Sequence, residues 1–328
     1  LCRDANEELA MTQAQAAVVP WVEEALTLEY AGVRMRAALT LPREAAAKSA
    51  VLLVPGSLFL DVDGNMPAFN AYPHMYADLA HQLAALGHAV LRYAKTGPGT
   101  GSELVDSAAA TVYAHFATRV DVARAAADLL AVRVRGVPLV LAGHSEGAVV
   151  VALLGQRYTA ARGVVSLSGP STGIYAIMRE QLPLPAGSPP EAYHSFDALV
   201  ARLRAGEPLP PDVARDPMTA MFSRIDARGV HYLTEVDRVN PAQELAQVDV
   251  PVLIVQGGRD ASVRQHHAES LARSRGEKPT QLQLFAELQH FYKRVAPDVD
   301  PMTAFMIGEE SDAAVAASIA TWIAAAVR

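Results

Sequence analysis

The sequence predicts an α/β fold: a mostly parallel, doubly wound sheet interrupted by a helical insertion. Three observations predict it. Short continuous apolar runs ("SAVLLVPG", "HAVLRY", "PLVLAG", "GVVSLSG", "VPVLIVQGG") have the length and β-branched content of strands buried on both faces. Between them lie amphipathic helical patterns at short spacing, which indicates a parallel sheet covered on both sides. From about Ser171 to Asp249 this alternation stops, prolines crowd, and only short helical stretches remain.

The totals agree. The chain has 328 residues, 51% apolar and 19% charged, which excludes the disordered class and suffices for one large domain with an insertion. A net charge of −7 argues against nucleic acid or an anionic membrane as a partner. No apolar run approaches the roughly 18 residues of a membrane span. The single cysteine, Cys2, allows no internal disulfide, and a cytoplasmic location is expected. The opening "LCRDANEELAMTQ" has no signal-peptide pattern, and Met11 is a candidate start.

Each element follows in order. Residues 1–20 read as an extension. Glu24–Glu29 and Val33–Leu41 alternate as two strands joined by a Gly turn. "SAVLLVPG" is a buried strand. "AYPHMYADLAHQLAALG" has helical spacing and stops at Gly87, a C-terminal signal. "HAVLRY" is a strand, "TRVDVARAAADLLAVRV" a helix, "PLVLAG" a strand, "GAVVVALLGQRY" a helix and "GVVSLSG" a strand. Residues 171–249 form the insertion, with "SFDALVARLR" and "ARDPMTAMFSRI" as short helices. Residues 250–328 resume the core with "VPVLIVQGG", a helix over Val263–Ser274, the strand "PTQLQLFAEL" and a closing helix "SDAAVAASIATWIAAAV". Such an insertion commonly covers the sheet's carboxyl edge, where ligands bind.

"VLAGHSEGAVV" sets Ser145 between Gly143 and Gly147, after a strand and at the start of a helix. That context defines a nucleophile elbow. The bend strains the serine backbone, and the glycines relieve crowding beside it. The alternative is an ordinary turn with a capping serine. A serine hydroxyl needs a base, and the base an orienting acid. Asp260 lies just past the strand "VPVLIVQGG"; its alternative role is to cap the next helix. Of ten histidines, only His290 follows the acid in a loop after a strand. Two backbone donors complete the expected site. Glu146 N–H lies at a helix N-terminus, and Ser57 N–H lies after Gly56 in the loop following the third strand.

These residues carry a resemblance. Pro55-Gly56-Ser57-Leu58-Phe59-Leu60-Asp61-Val62-Asp63-Gly64-Asn65, Arg92-Tyr93-Ala94-Lys95-Thr96-Gly97, the "GHSEG" elbow and "VLIVQGGRD" resemble serine-dependent α/β-hydrolases. More narrowly they are similar to bacterial esterases with an "SGSGPxDRDGN" loop and an "RYDKRGxG" strand end. The resemblance implies carboxylic-ester hydrolysis of a small-molecule substrate through an acyl-enzyme, with no metal and no cofactor. It leaves thioesterase, acyltransferase or peptidase action open, and so a non-catalytic binding protein on the same fold. Leu58 and Phe59 stand where the family has Gly-Pro, so the acyl side of the pocket should differ.

Secondary expectations complete the reading. Asp61 and Asp63 staple their loop through backbone N–H groups. Arg92 pairs with the buried charge of Glu146. His144 points away from the hydroxyl and is counted with the pocket, as are Leu58, Phe59, Met178, Met218, Met221, Phe222 and Tyr232; the alternative for the insertion residues is its own core. "KTGPGTGSE" is read as a loop at the rim of the site.

Overall fold

Trp21–Tyr30 (β1) and Val33–Pro42 (β2) form an antiparallel hairpin. Its two turn residues, Ala31 and Gly32, both have positive φ (44° and 79°), the requirement of a tight hairpin turn that follows the strand twist. This computed structural model describes residues 18–327 except 98, 183 and 186. Most of the expected N-terminal extension, with Cys2 and Met11, and Pro183 of the insertion lie outside the described residues.

Ala50–Val54 (β3), Ala89–Tyr93 (β4), Glu103–Leu104 (β5), Leu139–His144 (β6), Ala161–Leu167 (β7), Val252–Gly257 (β8) and Thr280–Phe285 (β9) join the same sheet. Among the described residues the order is β1-β2-β4-β3-β6-β7-β8-β9, with β5 beside β2. From β4 to β9 every pairing is parallel. Strands β3, β4, β6 and β8 are buried throughout, as continuous apolar runs require.

Helices cover both faces. Met75–Ala85 (α1) ends at Leu86, and Gly87 follows at φ 96°, where the sequence places the stop. Ala109–Val112 (α2), Ala117–Arg133 (α3) and Glu146–Gly155 (α4) come next. Ala123, Ala126, Leu130, Val149 and Val150 pack with Leu52, Leu91 and Leu141 on one face of the sheet. Leu79 and Leu83 of α1 pack with Val51, Val90 and Val140 on the other.

The segment between β7 and β8 contains Ile174–Glu180 (α5), His194–Arg204 (α6), Ala227–Asp237 (α7) and Pro241–Ala246 (α8). Tyr175, Phe196, Leu199, Leu203 and Phe222 give it a hydrophobic cluster of its own. The stretch "ARDPMTAMFSRI" forms two short 3-10 turns rather than a helix. Pro217 holds Asp216 extended (φ −96°, ψ 121°) and so divides them. Helix α7 has no strong sequence pattern, but Asp226 caps it by accepting the Gly229 N–H at 2.8 Å. Helix α8 belongs with the sheet domain, since Leu245 joins the cluster containing α4. Gln265–Ser274 (α9), Pro301–Phe305 (α10) and Ala313–Ala326 (α11) complete the chain. Ile319, Trp322 and Ile323 of α11 pack beside α1. Among the described residues no helix is long and apolar enough to cross a membrane.

Candidate active site

The carboxyl ends of β3, β6, β8 and β9 lie along one edge of the sheet, and the loops after them carry Gly56, Ser145, Asp260 and His290. Ser145 sits between β6 and α4 at φ 54°, ψ −120°. A non-glycine residue there carries backbone strain of about 1–3 kcal/mol. The glycines make the bend sterically feasible: a Cβ on Gly143 would overlap the Gly147 backbone, and one on Gly147 would lie 2.8 Å from the Pro55 carbonyl. Ser145 is half-buried, and its hydroxyl makes no capping bond to α4.

Asp260 uses its two oxygens for different tasks. Oδ1 accepts the N–H groups of Ser262 (2.9 Å) and Val263 (2.8 Å), which fixes the turn after β8. Oδ2 faces His290 Nδ1 at 2.8 Å and accepts Gln256 Nε2 at 3.1 Å. These bonds stop short of α9, which begins at Gln265 with no side-chain cap, so Asp260 fixes the turn and does not take the helix-capping role that was its alternative. Asp260 and His290 are both buried. Among the described residues no hydrogen bond joins His290 to Ser145, and the His290 ring bonds through Nδ1 alone.

His144 lies beside this pair rather than in a pocket. It is 1% exposed, its ring centroid is 4.5 Å from that of His290, and both nitrogens are engaged. The His290 carbonyl can only accept, so His144 Nε2–H donates to it at 3.1 Å. Nδ1 is then the acceptor for the Tyr76 hydroxyl at 3.1 Å, and that hydroxyl accepts the Gly56 N–H at 2.7 Å. Burial first, and then the neighbouring His290, hold the His144 imidazole well below the usual histidine range. A continuous chain of hydrogen bonds thus runs from the loop after β3 to the backbone of His290. Tyr76, on α1, was missed in the sequence because nothing in a helical pattern marks a tyrosine aimed at a strand end.

Glu146 is buried and does not pair with Arg92. Its Oε1 meets Lys95 Nζ at 3.2 Å, Arg119 Nε at 3.6 Å and the Tyr232 hydroxyl at 2.8 Å; Oε2 meets Ser57 Oγ at 3.4 Å. Burial pushes this carboxyl up, but Lys95 and Arg119 outweigh it and hold it below its ordinary value. Lys95 is pushed down to about 8 by burial and then by Arg119. Arg92 instead binds Asp63 (2.8 Å), Glu23 (2.8 Å) and Thr40 (2.9 Å). Strand alternation explains the correction: Arg92 shares the α1 face with Val90, whereas Glu146 opens α4 on the face of Leu91 and Tyr93. Asp61 staples its loop, accepting the Asp63 and Asn65 N–H groups at 2.9 and 2.8 Å. Asp63 does not; it is the partner of Arg92.

The remaining expected residues divide. Leu58 and Phe59 are exposed, at 48% and 40%, directly after Ser57. Leu58 has φ 65°, and the Phe59 ring fills the space where Gly97 lacks a Cβ, so the glycine-rich loop packs at this rim. The N–H groups of Ser57 and Glu146 have no hydrogen-bond partner among the described residues. Phe222 is fully buried between Tyr175 and Phe196 and lines the insertion's own core, not an open surface. Met178 and Met218 pack at the edge of that core, and Met221 is exposed. Tyr232 reaches the site through Glu146 rather than as an acyl wall. A cavity of about 280 Å³ lies against His290, lined also by Arg259, Gln289 and Phe305; Ser145 does not line it.

A family model described as serine aminopeptidase, S33, matches residues 67–292, more than half of the chain. Esterase EstD of Thermotoga maritima is 26% identical over 255 residues, covering 77% of this chain and 56% of that protein; the chain thus spans about half the length of this curated relative. Est1E from Butyrivibrio proteoclasticus, solved with ferulic acid bound, superposes with a TM-score of 0.57 at 16% identity, over 92% of this chain and 99% of that one. A malate-bound thermophilic esterase from Thermogutta terrifontis gives 0.53 at 15% identity, over 93% and 100%. These two structures share the fold, with the parallel sheet and its flanking helices. By the family match, the chain belongs to the Hydrolase_4 family, serine aminopeptidase S33, of the α/β hydrolases.

Proposed function

We propose that the protein hydrolyses carboxylic esters, with Ser145 as nucleophile, His290 as general base and Asp260 as its orienting acid. The observation that carries this is the 2.8 Å contact between Asp260 Oδ2 and His290 Nδ1, on adjacent strand-end loops beside a partly exposed serine at φ 54°. Asp260 fixes the imidazole tautomer that leaves Nε2 free to take a proton. Ser145 Oγ attacks the ester carbonyl as His290 removes its proton. The N–H groups of Ser57 and Glu146 stabilise the oxyanion, and His290 then protonates the departing alcohol. Water releases the acid by the same steps. The hydroxyl-to-imidazole bond is one that tightens when substrate arrives, as is common in ligand-free hydrolases.

The insertion is proposed as a cap over this edge. The contact of Tyr232, on α7, with Glu146 supports that reading. Leu58 and Phe59 would form an apolar rim on the acyl side, favouring small or medium acyl groups over charged ones. A second reading, peptide-bond hydrolysis, has the matching family, serine aminopeptidase S33, in its favour. Thioester and acyl-transfer chemistry use the same groups, because the triad does not choose the leaving group.

The test is a panel of p-nitrophenyl esters of graded acyl length beside aminoacyl anilides and acyl thioesters. Ester turnover lost in Ser145→Ala supports the proposal. Turnover confined to anilides would install the peptidase reading. Failure of a fluorophosphonate probe to label Ser145, with no turnover of any substrate, would leave a binding protein.

A further inference from the structure

We propose that His115, His231 and Glu235 form a binding site for a divalent transition-metal cation of the zinc class. His115 stands just ahead of α3, while His231 and Glu235 occupy successive turns of α7. Their ligand atoms make a tight triangle. His115 Nδ1 lies 2.9 Å from Glu235 Oε1, His231 Nε2 lies 3.0 Å from the same oxygen, and the two nitrogens are 3.2 Å apart.

Hydrogen bonding satisfies this triangle poorly. If both nitrogens carry protons and donate to the carboxylate, two N–H groups confront each other. If one donates to the other, a nitrogen lone pair faces a carboxylate oxygen at hydrogen-bond distance. A cation at the centre turns three lone pairs inward at once. Nitrogen and oxygen ligands about 2.0–2.2 Å from zinc stand about 2.8–3.1 Å apart at octahedral angles and about 3.3–3.6 Å at tetrahedral ones, a range that brackets the 2.9, 3.0 and 3.2 Å found. The other carboxylate oxygen accepts the Phe116 N–H at 2.8 Å, which aims Oε1 at the imidazoles. Both histidine side chains are about half exposed, so the open side admits water or a further ligand.

A second histidine cluster lacks this character. His267 Nδ1 accepts the Ser171 N–H at 3.2 Å, so Nε2–H donates to Glu180 at 3.1 Å, and ordinary hydrogen bonds account for it. The sequence by itself points to no metal. The spacing His231-x-x-x-Glu235 is visible there, but the third ligand is 116 residues away. The location gives the site a consequence. Tyr232, next to His231, donates to Glu146, so a cation here clips α7 to the sheet domain beside the elbow.

The experiment is calorimetric titration of the metal-free chain with Zn²⁺, using wild type, His115→Ala, His115→Ala/His231→Ala, Glu235→Gln and, as control, His266→Ala. One Zn²⁺ per chain at micromolar or tighter Kd is expected in wild type and in the control, with the affinity at least about tenfold weaker in the other three. Co²⁺ should give visible d–d bands that the double variant abolishes, and Zn²⁺ should raise the thermal midpoint of wild type but not of the double variant. Circular dichroism checks that each variant is folded. No wild-type binding below about 100 µM Zn²⁺, or binding that the double variant leaves unchanged, overturns the site.

Discussion

The side chain of His144 donates to the backbone carbonyl of His290 across 3.1 Å. The residue before the elbow serine therefore holds the main chain of the proposed base, and Tyr76 ties the same ring to Gly56. Two loops from different strands are set relative to each other through one neutral imidazole. Tyr76→Phe removes the hydroxyl that both Gly56 N–H and His144 Nδ1 use. It should cost about 1–3 kcal/mol by leaving buried polar groups unpaired. It should also lower kcat about tenfold or more, by letting the oxyanion loop drift. Urea unfolding and ester kinetics measure the two effects; wild-type values in both would show that the chain positions nothing.

Removing a member of the proposed triad should act on chemistry, not folding. Ser145→Ala and His290→Ala are each expected to lower kcat by at least about 10³-fold with KM little changed. Ser145→Ala should raise stability slightly, since alanine removes a hydroxyl that has no bond to lose. Asp260→Asn is harsher on structure: its amide oxygen can still hold the turn at Ser262 and Val263, but its NH2 then confronts Gln256 Nε2 and His290 Nδ1, which the Oδ2 oxygen accepts or faces. A near-normal rate in Asp260→Asn would move the acid elsewhere.

Glu146 is a carboxylate between two buried cations. Glu146→Gln leaves Lys95 and Arg119 without their counter-ion, and breaking a buried pair this way costs about 3–5 kcal/mol. Adding Lys95→Met to Glu146→Gln should recover part of the loss, because one unpaired charge goes with it. A double variant no more stable than Glu146→Gln alone would count against the pairing.

These groups also mark where the sequence is legible. The sharp bend at Ser145 and the meeting of Asp260 with His290 are readable because each residue follows a strand, apolar before Ser145 and Asp260 and alternating before His290, and a strand's end is the place a parallel sheet displays chemistry. The partners of Glu146 are not. Lys95 lies past the end of β4 and Arg119 on α3, and only the packing of α3 against α4 brings them to one carboxylate. Arg92 lies near the end of β4, three residues before Lys95, yet period-two alternation sends it to the opposite face. Phe222 and Met221 are adjacent in sequence, yet one is fully buried and the other exposed, and local pattern does not distinguish them in a segment of short turns.

Acid should weaken the fold through His144. Its folded value lies well below the unfolded one, mainly through burial. As pH falls through about 6.5 the unfolded chain takes up a proton that the folded chain refuses, so stability is full above that point and declines below it. The slope is about 1.4 kcal/mol per pH unit for each such histidine, and burial lowers His88 and His267 in the same direction. Unfolding free energies from about pH 7 to pH 5 should fall more gently in His144→Asn than in wild type. Parallel slopes would mean His144 is protonated in the folded chain.

Leu58 offers a test in the direction of gain. Its φ of 65° belongs to the left-handed region, which costs a branched side chain about 1–2 kcal/mol. The side chain is half exposed, so little packing is lost when it goes. Glycine adopts this conformation freely but loses about 0.5–1 kcal/mol more backbone entropy on folding. Leu58→Gly should therefore be as stable as wild type or up to about 1 kcal/mol more stable, while Leu58→Ala keeps the strain and gains nothing. With Leu58 removed from the rim, the esterase profile should shift toward longer or bulkier acyl groups. A large loss of stability in Leu58→Gly would show that this side chain packs under a closed cap, and an unchanged acyl preference would remove it from the substrate's path.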